Sequence, residues 1–224
     1  MIDFNGIDYL GIDRIVKRGS AEFIAQNDRF VFVRDTVSGV FFLCGEVRDD
    51  DFALIDGYID RERDALMVDS EELFKRVFAR YGFEDKLECY QVAYYGDAPK
   101  IDTALDIRVA EKSDIPLIVE NYHLVGEDEI AKIVGRRALY LGFSGGEPIG
   151  FAGEHLEGSM GLLYVFPKFR RRGFGEALEK FCIAKTIENG FLPFGQVEKS
   201  NAASLALQKK LGFKISENLI FWMW

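Results

Sequence analysis

Apolar residues recur along this chain in short runs cut by glycine, proline and charge, and their spacing predicts a series of alternating strands and helices. Arg29 to Asp35 and Gly39 to Gly45 are rich in phenylalanine and valine and predict two strands joined by the turn Thr36-Val37-Ser38, a hairpin. Asp51 to Tyr58 predicts a third strand. Asp69 to Tyr81 has helical spacing, with Asp69 or Ser70 as cap and glutamates in the first turn, and Lys86 to Tyr95 predicts another strand. The order is β-β-β-α-β.

Gly96-Asp97-Ala98-Pro99-Lys100-Ile101-Asp102-Thr103 is polar, carries a proline and predicts a linker, dividing the chain into 1–103 and 104–224. Beyond it the pattern predicts a strand over Leu105 to Ala110, helices over Ser113 to His123 and Glu127 to Val134, and strands over Ala138 to Phe143, Pro148 to His155 and Gly161 to Phe166. Helix from Gly175 to about Asn189, strand from Phe194 to Glu198, helix from Asn201 to Lys210 and closing strands from Phe213 to Trp224 complete the reading. The fold class is α/β (α+β), a mixed twisted sheet with helices on both faces.

Between the run Leu162-Leu163-Tyr164-Val165 and the helix that follows lies Arg170-Arg171-Arg172-Gly173-Phe174-Gly175-Glu176. Glycines there remove side chains where backbone N–H groups must approach an anion, and the new helix aims its positive dipole end at the same point. With Lys168 the arginines form the densest basic cluster of a chain whose net charge is -9. A solvated basic turn is the bland alternative, and a pyrophosphate is the ligand that the chemistry favours.

A second segment weighs on this choice: Asn201, Ser204, Leu207, Lys210, Gly212 and Phe213 stand at fixed spacing downstream. Together with Val165-Phe166-Pro167 and the basic glycine turn, it resembles the GNAT superfamily of coenzyme A-dependent N-acyltransferases. Its signatures are R/Q-x-x-G-x-G/A after a strand and N-x-x-S/A-x-x-L-Y-x-K-x-G-F. The resemblance spans roughly residues 105 to 224, and Gln196-Val197-Glu198 before Asn201 is most similar to the glycine N-acyltransferase-like branch. The N-terminal half, lacking the glycine turn, then reads as a smaller, degenerate GNAT-like copy without a coenzyme site.

The resemblance implies an N-acetyltransferase carrying an acetyl group from acetyl-CoA to a primary amine of a small molecule, amino acid or protein. Leu163, Tyr164 and Val165 would offer backbone to the pantetheine arm, with a Val165 N–H to polarise the thioester carbonyl. Arg170, Arg171, Arg172, Gly173, Phe174, Gly175 and Glu176 would hold the pyrophosphate. Asn201 and Ser204 would reach the coenzyme, although Asn201 equally suits a helix cap. Gln208 stands where the family usually has the tyrosine that protonates the departing thiolate, and an amide has no proton to give. Ser159 and Gln196 occupy the positions of the usual catalytic carboxylates, leaving Glu157, His155 or Glu154 as proton acceptor, directly or through water. Those departures leave open a coenzyme A-binding or regulatory module with decayed catalysis.

Composition narrows the rest. An acidic chain argues against nucleic acid or an anionic membrane as partner. Cys44, Cys89 and Cys182 are widely spaced and odd in number, which suits a reduced cytoplasmic protein, and no metal-ligand pattern is present. The N-terminus is acidic, and no apolar run approaches spanning length. Monomer and homodimer both remain open.

Overall fold

The computed structural model describes residues 6–101 and 105–224. The acidic start at residues 1–5 and the expected boundary after residue 103 lie outside the described residues.

In chain order the elements are α1 (Leu10–Arg18), β1 (Ala21–Gln26), β2 (Phe30–Asp35), β3 (Phe41–Gly45), β4 (Leu66–Val68), α2 (Glu71–Tyr81) and β5 (Lys86–Ala93). There follow β6 (Asp106–Val109), α3 (Ile115–Asn121), α4 (Glu127–Gly135), β7 (Leu139–Ser144), β8 (Glu147–Glu154), β9 (Met160–Val165), α5 (Phe174–Glu188), β10 (Phe194–Glu198), α6 (Ala202–Leu211) and β11 (Lys214–Met223). Two compact units share them. One comprises Met1–Ala93, Gln196–Ala206 and Lys214–Trp224, the other Tyr94–Gly195 and Leu207–Phe213. The division differs from a single cut after residue 103 because β11 finds its backbone partners on β4 and β5.

In the first unit the strand order is β1-β2-β3-β4-β11-β5. The expected hairpin is present as antiparallel β2 and β3, with Val33 opposite Phe42. Its turn is closed by Asp35, which accepts hydrogen bonds from Ser20 Oγ (2.6 Å), Ser38 Oγ (2.5 Å) and Arg18 Nη2 (2.9 Å). Burial pushes this carboxyl up, but the bonds from Ser20 and Ser38, with Arg18, hold it below the usual range. One face of the sheet is covered through Ile12 and Ile15 of α1, packed on Val31, Val33, Phe42 and Met67. The other is covered through Leu73, Phe74 and Val77 of α2, packed on Phe30, Phe32, Leu43 and Val68. Ser70 Oγ caps α2 by accepting from Leu73 N–H (3.3 Å).

One expectation fails here. Asp51 to Tyr58 is not a strand: Asp49–Leu54 is a 3-10 helix, and the buried Phe52 and Ile55 follow one-turn spacing. Asp51 accepts from Arg48 N–H (2.8 Å) and takes a two-pronged contact from Arg29 (2.9 and 3.0 Å), which fixes the turn. The third strand is instead β4, three buried residues parallel to β3. Helix α1 and strand β1 lie in a stretch the periodicity left unassigned.

In the second unit β6, β7, β8 and β9 form antiparallel neighbours. Leu139 and Leu141 turn to a core shared with Ile118 of α3 and Ile130, Ile133 and Val134 of α4. The alternate residues turn the other way, toward α5: Tyr140 meets the Phe181 ring at 5.0 Å, and a side chain on Gly142 would strike Leu178. Helices on both faces, and every predicted element of this half from Leu105 to the α6 helix, are present within a residue or two at most ends. The closing segment is one bulged strand, β11, rather than several.

Candidate active site

Strand β9 is built to be incomplete on one side. Its ladder to β8 places Phe151 opposite Tyr164 and Gly153 opposite Gly161, so Leu162 and Leu163 together oppose Ala152. This is a bulge, and Leu162 sits in it at φ +53° although it is not glycine. The left-handed backbone costs a leucine about 1–2 kcal/mol, and the Leu162 N–H, donating to the Tyr122 hydroxyl, helps hold it. The parallel ladder to β10 has one pair, Gly195↔Met160. The β10-side peptide groups of Leu163, Tyr164 and Val165 therefore lie outside that ladder, and all three residues are only half-buried.

The basic turn follows at the end of this strand. Phe169 is buried beneath it, with Arg172 stacked over the Phe169 and Phe174 rings at 5.6 and 5.1 Å. Arg170 donates from Nε to the Val165 carbonyl (2.9 Å) and lies over the Tyr164 ring. Arg171 and Gly173 take left-handed backbone, φ +63° and +83°, and bring the chain sharply into α5. Gly173 is the N-cap and supplies no side-chain bond, and a Cβ there would meet nothing within 4 Å. The first amides of α5 thus face an open space beside the turn that carries Arg170, Arg171 and Arg172, the arrangement that suits a phosphate group. Glu176, in the first turn, is drawn away into ion pairs with Lys180 (3.0 Å) and Lys210 (2.5 Å), which hold its carboxyl below the ordinary range.

A second cluster lies at the other end of β9. The His155-Leu156-Glu157-Gly158-Ser159 turn is closed by His155 N–H to the Ser159 carbonyl (2.9 Å) and Gly158 N–H to the His155 carbonyl (3.0 Å). Ser159 is 2% exposed and donates its hydroxyl to the buried Glu157 carboxylate. The carboxylate missing from position 159 is thus returned beside it by the turn. The His155 ring rests on the bare backbone of Gly161, its Nε2 only 2.5 Å from where a Cβ would stand, while Nδ1 is 3.9 Å from Glu129 Oε1 on α4. Burial opposes charge on this imidazole, but Glu129 and Glu157 outweigh it and raise its pKa above the ordinary value. Tyr122, at the end of α3, is pushed up to about 12 by burial and shares the field of Glu129 and Glu157.

The remaining expected residues have other partners. Asn201 Oδ1 accepts from Ser204 N–H (3.0 Å), the helix-cap role, and both belong to the first unit. Gln196 accepts from Trp222 Nε1 (2.6 Å) and donates to Gln91 Oε1 (3.2 Å). Gln208 is 4% exposed and donates to Glu179 Oε1 (3.2 Å), whose carboxyl burial raises to about 7. Glu154 accepts from Thr186 Oγ1 (2.6 Å). Cys44, Cys89 and Cys182 are free and buried, and burial pushes all three thiols up, that of Cys89 to about 12, so none offers a thiolate. Among the described residues no group of His, Cys, Asp and Glu could hold a metal ion, and no helix is long and apolar enough to cross a membrane.

The bulged, half-laddered strand leading into an uncapped basic helix start sits in a fold shared with GNAT acetyltransferases. A putative GNAT-family acetyltransferase from Novosphingobium aromaticivorans superposes with TM-score 0.59 at 16% identity, covering 93% of this chain and 91% of that one. A tandem GNAT protein from the clavulanic acid biosynthesis pathway does so with TM-score 0.50 at 13% identity, over 97% and 87%. A Drosophila protein aligns with TM-score 0.66 at 16% identity, over 97% of this chain and 89% of that one. Residues 140–222 match the family described as FR47-like protein, a stretch that contains both the basic turn and the 201–213 segment. The solved structures share the fold, and the family match is confined to that C-terminal stretch. No curated protein matches the chain.

Proposed function

We propose that the protein transfers an acyl group, acetyl first among them, from a coenzyme A thioester to a primary amine. The observation that carries this reading is the open start of α5 after Gly173, beside the turn that carries Arg170, Arg171 and Arg172 and reached from the bulged strand β9. These residues fit the coenzyme: the α5 amides and arginines would take its pyrophosphate, and the peptide groups of Leu163, Tyr164 and Val165 its pantetheine arm. The coenzyme supplies an activated thioester. The chain's own residues must deprotonate the amine, which is protonated near neutral pH. His155 and Glu157, gathered at the far end of β9, are the groups for this task. A thiol with pKa about 8.5 leaves without strong acid assistance, so Gln208 in place of a tyrosine is tolerable.

The same Gln208, committed to Glu179, and Gln196, committed to Gln91 and Trp222, favour a second reading, a coenzyme A-binding module without turnover. Incubation with acetyl-CoA and a panel of amines, reading thiol release, separates the two. Transfer supports the enzyme; coenzyme binding by calorimetry without transfer supports the module; absence of binding overturns both. Under the first reading at least one of Glu157→Gln and His155→Ala lowers kcat/KM by at least roughly tenfold.

Several further features belong to this proposal. The N-terminal half serves as a GNAT-like copy without a coenzyme site, the domain boundary falls in the linker near residue 103, and the glycine N-acyltransferase-like branch rests on the wording Gln196-Val197-Glu198 alone. Net charge -9 disfavours nucleic-acid and anionic-membrane partners, and three free buried thiols suit the cytoplasm.

A further inference from the structure

His155 has two distinct sides. Its Nδ1 faces Glu129, on the first turn of α4, at 3.9 Å, and its Nε2 lies on the backbone of Gly161 at the head of β9. Only glycine leaves room for the ring there, since a Cβ would sit 2.5 Å from Nε2 and 2.7 Å from Cδ2. The imidazole is thereby turned with one nitrogen to a carboxylate and the other to Gly161, at the head of the strand whose later residues, Leu163 to Val165, the acyl-transfer reading assigns to the coenzyme arm.

We infer that Glu129 is the positioning residue of a carboxylate–imidazole dyad, fixing the proton on His155 Nδ1 so that the Nε2 lone pair takes a proton, relayed by water along β9, from the acceptor ammonium. This deepens the acyl-transfer reading and rests on it. A carboxylate on one imidazole nitrogen sets the tautomer and stabilises the charge that forms when the other nitrogen is protonated. The ammonium has two protons to lose before it becomes an amide. One goes to Nε2 and on to solvent; the other ends on the thiolate released when the C–N bond forms and the C–S bond breaks. The charged groups facing His155 are Glu129 from α4 and Glu157 from its own turn, with the Tyr122 hydroxyl sharing their field. Both carboxylates raise the imidazole pKa against the effect of burial, so the acidic limb of the rate lies above the ordinary imidazole value of about 6.5. Glu157 is occupied by Ser159, and Glu129 is the carboxylate aligned with a ring nitrogen.

The chain has two histidines, His123 and His155, so nitrogen-detected NMR of the whole protein resolves the ring directly, with His123→Gln to assign it. The expected result is a neutral His155 carrying its proton on Nδ1. Its titration midpoint should fall on Glu129→Gln and recover in part with Glu129→Asp, and the acidic limb of kcat/KM should move by the same amount while the KM for acetyl-CoA stays put. An unchanged midpoint in Glu129→Gln, or a neutral ring protonated on Nε2, overturns the dyad. A midpoint that shifts as expected in a protein that transfers to no amine overturns acyl transfer instead, and proton acceptance with it. Glu129 is partly exposed, so its substitution leaves the core intact.

Discussion

Helices α2 and α5 each follow a strand and the turn beyond it, and the two helix starts have opposite chemistry. Helix α2 starts after β4 with Ser70 accepting from Leu73 N–H, and with Glu71 and Glu72 supplying negative charge to the dipole. The carboxylate of Asp69, just before it, turns to Gly45 N–H (2.8 Å). Helix α5 starts after Gly173 with no side-chain cap and with arginines in the turn before it. Strand β4 is paired on both sides, by β3 and β11, whereas β9 leaves most of its β10 side outside the ladder. A helix start sealed by its own side chains has nothing to offer an anion, and one left open beside unpaired peptide groups has a great deal. The contrast explains why the start of α5, and not that of α2, is the candidate anion site.

The sharpest way to break the contrast is Gly173→Asp, which places a carboxylate in the open space at the α5 start. Calorimetry should show coenzyme A affinity reduced by at least about 100-fold, the equivalent of about 2.7 kcal/mol, with the far-ultraviolet dichroism unchanged. Unaltered affinity would remove the phosphate assignment.

The helices also differ inside. The buried residues of α2 are Leu73, Phe74 and Val77, while α5 buries Glu179. In the folded protein Glu179 keeps its proton up to about pH 7, whereas unfolded it releases it near the ordinary glutamate value. Stability therefore falls as pH rises between those values, because the folded state holds the extra proton. Glu179→Gln should remove that fall and leave the variant more stable at pH 8 by roughly 2 kcal/mol, as read by urea unfolding at pH 5 and pH 8. Equal pH dependence in the two proteins would refute it.

A smaller effect is expected from Arg171→Ala combined with Arg172→Ala. Coenzyme A affinity should drop about tenfold at low salt and the difference should shrink as salt is added, because exposed charges are screened. The smallest comes from Ser70→Ala, which removes the α2 cap. Urea unfolding should show a loss of about 1 kcal/mol with coenzyme affinity unaffected, and weakened coenzyme binding would mean that the two helix starts are not independent in function.

The basic glycine turn, the strand before it and the helix after it were legible in the chain because each is a local matter. Gly173 needs φ +83°, the arginines are contiguous, and the apolar run feeding them has strand spacing. Helix α1 was not read from the chain, because its apolar residues are few and interrupted by Gly11, although Gly19 closes it at φ +76°. Gly11 itself is explained only by the tertiary structure: the Phe42 ring lies 2.8 Å from where its Cβ would be.

Sequence alone determined the order of the elements in the second half and brought glycines, arginines and a helix start together at residues 170–176, since periodicity, caps and turns act over a few residues. Tertiary structure decided the rest. It joined β11 to β4 and β5 across more than a hundred residues, placed the left-handed Leu162 in its bulge, and tied Gln208 to Glu179. It also brought Glu129 of α4 to the His155 ring on Gly161. Those pairings depend on which surfaces pack and which backbone groups find ladder partners, and no local stretch of residues encodes a distance between side chains far apart in the chain.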